Sequence, residues 1–342
     1  MDIIQTLAQQ LNLTAEQVGK TVQLIDEGNT IPFIARYRKE VTGSLDDSVL
    51  RTLDEKLTAL RNLAQRKQGV QDLIGAQGKL TEEVRAAIER AATVTEVDDI
   101  YRPFRPKRKT RASVARERGL EDLAILLFAQ EKSYTPSIEE QAARFVDPER
   151  EVPDVAAALQ GAMDIVAEEV SDNADYRREL RRLTFDAGSL TSKAAKEEDS
   201  VYAMYYDFSE PLRKLPGHRI LAINRGEKEE FLKVALTVPE DVVLGYLYNR
   251  VLSGNRSPAE PYVREAVTDA YNRLIAPSIE REIRNDLFDT ACEGAIKVFS
   301  DNLGHLLMQP PLKGKVVLGF DPGYAHGCKL AVVDPTGKVL DT

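Results

Sequence analysis

Apolar residues stepping by three and four dominate the early part of this chain and constrain its fold more than any other feature. Leu50, Leu53, Leu57 and Leu60 recur at that interval beyond Ser44, and Val70, Leu73 and Ile74 continue it. A helix turns once in about 3.6 residues, so the spacing draws one apolar stripe suited to antiparallel helical partners. Gly75 and Gly78 break the pattern, and Thr81, Val84 and Ile88 predict a capped second helix. The two make a helical hairpin over 44–92. Upstream, Ile3, Ile4, Leu7 and Leu11 predict a first short helix. Thr14 with Gln17 forms a capping-box pattern before Val18, Val22 and Ile25. Gly28 ends that second helix, and Ile31 to Arg38 start a third. Three short helices over 1–40 can form a helix-turn-helix module or an ordinary three-helix cap.

Further helices are expected at Leu120, from Ser137 and from Asp154 through Tyr176. The polar run GSLTSKAAKEEDS (188–200) reads as a linker. A β-hairpin is expected over 218–238, where Leu221 and Ile223, then Leu232, Val234, Leu236 and Val238, alternate around Arg225-Gly226-Glu227. Pro239, Pro258 and Pro277 each suit the first turn of a later helix. The long helix 278–308 carries the stripe Ile279, Ile283, Leu287, Ala291, Ala295 and Val298, with Cys292 beside it as a structural residue. Three regions follow: a helical region 1–190, a helical region with the hairpin over 200–310, and a short β segment from 315 to 342. The fold class is therefore mainly α.

Composition narrows the function. With 342 residues and a net charge of −9, the whole chain is not a basic nucleic-acid binder. Its two cysteines, Cys292 and Cys328, have no metal-ligand spacing and fit a reducing compartment. The N-terminus lacks the pattern of a secretory signal, and no apolar run approaches a membrane span. A cytoplasmic protein without membrane contact is expected. There is no phosphate-binding glycine loop, no serine-hydrolase elbow and no zinc motif, and three histidines leave little for acid–base work. No cofactor is expected.

Charge is nonetheless segregated. In the connector 101–119, residues 102–118 hold Arg102, Arg105, Lys107, Arg108, Lys109, Arg111, Arg116 and Arg118 against Glu117 alone, a local charge of +7. Pro103 and Pro106 are expected to keep its first half extended, and Tyr101 and Phe104 supply rings. Extended basic backbone with aromatics suits phosphate contact and base stacking. The same arginines would equally pair with acidic helices and tie a connector to the helical body. A second group, Arg177, Arg178, Arg181 and Arg182, shares part of one helix face and reads as solvated, or as an extension of the first patch.

The closing stretch VVLGFDPGYAHGCKLAVVD offers the other chemistry. Strands are expected at Lys315–Phe320, Lys329–Val333 and Lys338–Leu340, with Asp321 ending the first and Gly323 in the turn. A carboxylate so placed is how metal-dependent nucleases hold Mg²⁺, and the same entry opens phosphate-cradling ATPase folds. One acid does not make a two-metal site, so Asp321 is a weak metal candidate and His326 polar surface. Three strands with an open edge are expected to be the start of a larger sheet, in a longer protein cut inside a domain.

Four stretches resemble the Tex family of bacterial transcription accessory proteins, in the family's order: GNTIPFIARYRKEVTGSLDD (28–47), YRPFRPKRKTRASVARERGLEDLA (101–124), YYDFSEPLRKLPGHRILAINRGEKE (205–229) and VVLGFDPGYAHGCKLAVVD (316–334). The resemblance implies a helical N-terminal region with helix-turn-helix character. It also implies a YqgF-type RNase H-like domain starting at Lys315, with Asp321 at the position of its first acid. Helix-hairpin-helix elements and an RNA-binding OB fold, which carry the family's main nucleic-acid contacts, would follow and are not in this sequence. Members are not generally regarded as active nucleases. The expected function is a non-catalytic, nucleic-acid-binding transcription accessory protein. Its partners would be RNA or DNA and RNA polymerase or ribosome-associated machinery. The alternatives are a helical protein-interaction scaffold and, more remotely, a metal-dependent nuclease.

Overall fold

A computed structural model describes residues 2–106, 109–196, 198–310, 312–323 and 327–342. It is mainly α, with two small antiparallel sheets, as the periodicity indicated. The chain divides into two units, each made of two stretches: Met1–Gly188 with Val238–Arg281, and Ser189–Thr237 with Glu282–Thr342.

The first unit opens with α1 (Ile3–Leu11), α2 (Ala15–Asp26), α3 (Ile31–Tyr37), α4 (Lys39–Thr42) and α5 (Asp47–Ala76). Thr14 and Gln17 form the expected capping box, and Gly28 follows α2 at φ +84°. Then come α6 (Glu82–Arg90), α7 (Val94–Tyr101), α8 (Arg111–Glu117), α9 (Glu121–Ala129), α10 (Ile138–Ala142), α11 (Val155–Asp172) and α12 (Ala174–Ala187). The second unit begins with β1 (Ser189–Ala194), β2 (Asp207–Pro211), α13 (Gly217–Lys228) and β3 (Leu232–Thr237). The chain returns to the first unit with α14 (Glu240–Val251) and α15 (Glu260–Asp269). A π-helical stretch, Ala270–Ile275, leads into α16 (Ala276–Leu307), and β4 (Val317–Asp321), β5 (Lys329–Val333) and β6 (Val339–Asp341) follow.

The leucine stripe serves two sets of partners. Leu53 and Leu57 pack with Leu7, Val18 and Val22, and Leu50 packs with Leu24 and Ile34. Farther along α5, Leu63, Val70 and Ile74 meet Ile88, Val97 and Tyr101. Lys67 lies on the same buried line, and its Nζ donates to the Glu89 carbonyl at 2.8 Å, near the end of α6. Leu73, expected on the stripe, is exposed, because Ile74 takes the inward position beside it.

α11 is buried on nearly every side, as its small and apolar residues allow. Ala112 and Ala115 of α8 are 2% exposed. Gly161 of α11 lets Leu120 approach so closely that a Cβ there would stand 2.3 Å from Leu120 Cδ1.

Two sequence expectations fail in the second unit. The linker 188–200 contains β1, the central strand of a sheet ordered β2-β1-β3. Its partners are distant in sequence: Leu190 faces Glu210 on one side and Leu236 on the other. Ser192 is buried and donates to the Tyr205 carbonyl at 2.6 Å, so a polar strand is satisfied at the centre. The hairpin over 218–238 is also corrected. Its second run is β3, but its first is α13, whose buried residues Ile220, Ile223 and Gly226 step by three. Leu221 and Ile223 alone mimicked a period of two.

Pro239 precedes α14, Pro258 precedes α15, and Pro277 lies in the first turn of α16, as expected. Pro277 follows the π-helical stretch, where a wider turn relieves the clash its ring would make in a regular helix. The α16 stripe is buried through Ile279, Ile283 and Ala291. It is exposed at Ala295 and Val298, where nothing covers it among the described residues. The three terminal strands lie where expected and pair in the order β4-β5-β6.

Candidate nucleic-acid interface

The basic connector is built from two helix ends and the turn between them. Thr93 caps α7 by accepting from the Glu96 N–H at 3.1 Å. Val97 and Tyr101 fix α7 in the core. Arg102–Phe104 then forms a 3-10 turn, so the expected extension is confined to a shorter piece containing Arg105, at φ −66° and ψ 130°. Lys107 and Arg108 lie outside the described residues. Thr110 and Ser113 form a capping box that starts α8.

The structure sorts the cations into two sets. Three are held by acids. Arg116 Nη1 lies 2.7 Å from Glu168, which also accepts from the Thr110 hydroxyl at 3.0 Å. Glu168 thus pins both the cap and the last turn of α8 against α11. Arg102 reaches Asp172 at 3.5 Å. Arg118 pairs with Glu151, and that hydrogen bond first, its charge second and the Lys109 charge beyond them hold the Glu151 carboxyl below the usual range. The other described cations, Arg105, Lys109 and Arg111, are exposed and have no ion-pair partner among the described residues. The pairing reading therefore holds for Arg102, Arg116 and Arg118, and Arg105, Lys109 and Arg111 are left outside such pairs among the described residues.

A cleft of about 660 Å³ opens beside this turn. Glu83, Asp99, Glu168, Glu169 and Asp172 line it, against Arg105 and Arg116. Among the described residues, five carboxylates face two cations there, a balance that disfavours phosphate.

The second arginine group is not a solvated face. Arg177 is fully buried, with Nε 2.7 Å from Asp99 Oδ1 and Nη2 2.8 Å from Ser278 Oγ. Arg181 Nη2 reaches the other Asp99 oxygen at 2.9 Å. The clasp joins α7, α12 and α16 inside the first unit. Arg178 and Arg182 are exposed and paired on their own helix, with Asp175, Glu179 and Asp186. Sequence reasoning missed Asp99 and Glu168 as organisers, because their partners lie 78 and 52 residues away. The Thr110–Ser113 cap was readable from residue type and spacing alone.

Asp321 ends β4, exposed, in register with Lys329. Asp334 shapes the β5–β6 turn by accepting from the Thr336 N–H and hydroxyl and from the Lys338 N–H. The Thr336 hydroxyl leads these bonds in lowering its pKa. Among the described residues no three potential ligands gather to hold a metal, and His326 lies outside them. Both cysteines are free. No helix among the described residues is long and apolar enough to cross a membrane.

Three family models match the chain: Tex-like protein N-terminal domain at residues 1–75, Tex central region-like at 133–299, and Tex protein YqgF-like domain at 315–342. Uncharacterized protein YdcI of Bacillus subtilis is 44% identical over 98% of this chain and 47% of its own length. Protein tex of Bordetella pertussis is 40% identical over 99% of this chain and 45% of its own. Transcriptional accessory protein Tex of Neisseria gonorrhoeae is 38% identical over 100% and 46%. The chain spans about half the length of these curated relatives.

Proposed function

We propose, from the premise that this chain belongs to the Tex family, that it is a non-catalytic, nucleic-acid-contacting part of a transcription accessory protein. One observation carries the reading. In a chain of net charge −9, Arg105, Lys109 and Arg111 stand exposed on one connector, none of them in an ion pair with a carboxylate among the described residues. Arg102, Arg116 and Arg118 anchor that connector to the helical body. The anchored set holds the backbone in place, and the exposed set meets phosphate. Lys107 and Arg108 belong to the same run of sequence and would add to it. Contacts of this kind are insensitive to base sequence.

Charge reversal tests this directly. The triple variant R105E/K109E/R111E should bind a labelled single-stranded RNA or DNA duplex at least tenfold more weakly than wild type, with unchanged thermal stability. Unaltered affinity would refute the assignment. The non-catalytic reading has its own test, since Mg²⁺-dependent cleavage abolished by Asp321→Ala would overturn it.

A second role, protein docking, is supported by a groove of about 410 Å³ between α9 and α11. Ala124, Ile125, Phe128, Ile165 and Val166 line it, with Ile125 63% exposed. Glu169 at the same groove, beside the Arg116–Glu121 pair at 3.6 Å, favours an apolar helix carrying a Lys or Arg, contributed by the transcription machinery. Nuclease-resistant recovery of RNA polymerase by wild type but not by Ile125→Asp would support this role, and equal recovery would remove it.

A further inference from the structure

A second cluster combines rings with unneutralised charge, far along the sequence from the connector. Ile31–Thr42, the span of α3 and α4, contains Arg36, Arg38 and Lys39 against Glu40, a local charge of +2. Ile34 anchors α3 in the core, packed with Leu24, Leu45 and Leu50. Phe33 and Tyr37, one helical turn apart, share a face; their ring centroids lie 5.3 Å apart at 47°. The Arg38 guanidinium sits over Phe33 at 5.2 Å from the ring centroid and donates to the Tyr37 carbonyl at 3.1 Å. Those contacts hold the rings in place. They leave Tyr37 57% exposed. Arg36 and Lys39, on either side of it in sequence, are exposed and form no ion pair among the described residues.

We infer that α3 and α4 carry a stacking platform for an unpaired base of a single-stranded nucleic acid, with the Tyr37 ring against the base and Arg36 and Lys39 on the adjoining phosphates. A stack needs a ring held at a fixed angle with an open face, and the Phe33–Arg38 pair supplies the fixing. It also needs cations that are not already neutralised. Every base has a π-face, so such a site tolerates sequence and distinguishes single from double strand. This inference rests on the nucleic-acid reading above, and adds a site and a ligand class to it.

The test uses the whole chain and two labelled single strands of equal length, one of mixed sequence and one abasic. Tyr37→Ala should weaken binding of the base-bearing strand about 5- to 150-fold, the span of one aromatic–base stack. It should leave the abasic strand unaffected, and Tyr37→Phe should restore wild-type binding of both. Tyr37 is exposed, so the variants fold; melting curves check this. Equal affinity of wild type and Tyr37→Ala for the base-bearing strand would overturn the platform while leaving the connector reading intact. A wild-type chain that binds neither strand would overturn both. Binding abolished by R105E/K109E/R111E but unmoved by Tyr37→Ala would leave the connector as the contact and refute the platform.

Discussion

At the residue scale, Asp99 shows what the buried charges do. Both its oxygens are engaged by arginines, one of them fully buried. Removing one partner of a buried pair strands the other in low dielectric, so Asp99→Ala should cost about 3–5 kcal/mol in chemical unfolding. Arg61, by contrast, meets Asp26 at 2.7 and 2.8 Å on an exposed surface. Arg61→Ala should cost only about 0.2–1 kcal/mol. The Arg61 hydrogen bond is the main cause holding the Asp26 carboxyl below its ordinary value of 3.8. A depressed acid contributes stability that is present above its unfolded pKa and is lost as pH falls through the folded one. The difference between wild type and Arg61→Ala should therefore be full near neutrality and vanish well below pH 3.8. Sequence showed that the connector was basic. It did not show which cations were held in ion pairs, because Asp172, Glu168 and Glu151 reach Arg102, Arg116 and Arg118 from distant elements.

At the element scale, helices with strong periodicity and local caps were legible. α2 with its capping box and α5 with its stripe followed from residue type and spacing alone. Elements defined by distant partners were not. β1 is polar, and only its pairing with β2 and β3 makes it a strand. α13 was hidden because two apolar residues fit either period. The packing itself is testable. Leu53 is fully buried between α5 and the first helices, so Leu53→Ala should cost about 2–5 kcal/mol in a denaturant titration. Gly161→Ala would drive a methyl group into Leu120. Overpacking of this kind should cost about 1–3 kcal/mol and loosen α8, on which Arg111 sits.

On the scale of the whole molecule, the chain carries a net charge of −9 yet gathers exposed cations without ion pairs on the connector and at the end of α3, among the described residues. The connector was found as the candidate site from sequence. Its division into anchoring and exposed cations, and the platform at Tyr37, required the structure. Phosphate contact releases condensed counterions, so binding must weaken with salt in proportion to the cations engaged. The most direct measurement is the salt dependence of affinity for a labelled single-stranded RNA, by fluorescence anisotropy, with wild type and R105E/K109E/R111E. The account predicts a slope of log K against log salt of roughly −2 or steeper for wild type, at about 0.7 per phosphate, and a markedly shallower slope for the variant. A slope near zero for wild type, or an equal slope for both proteins, would contradict it.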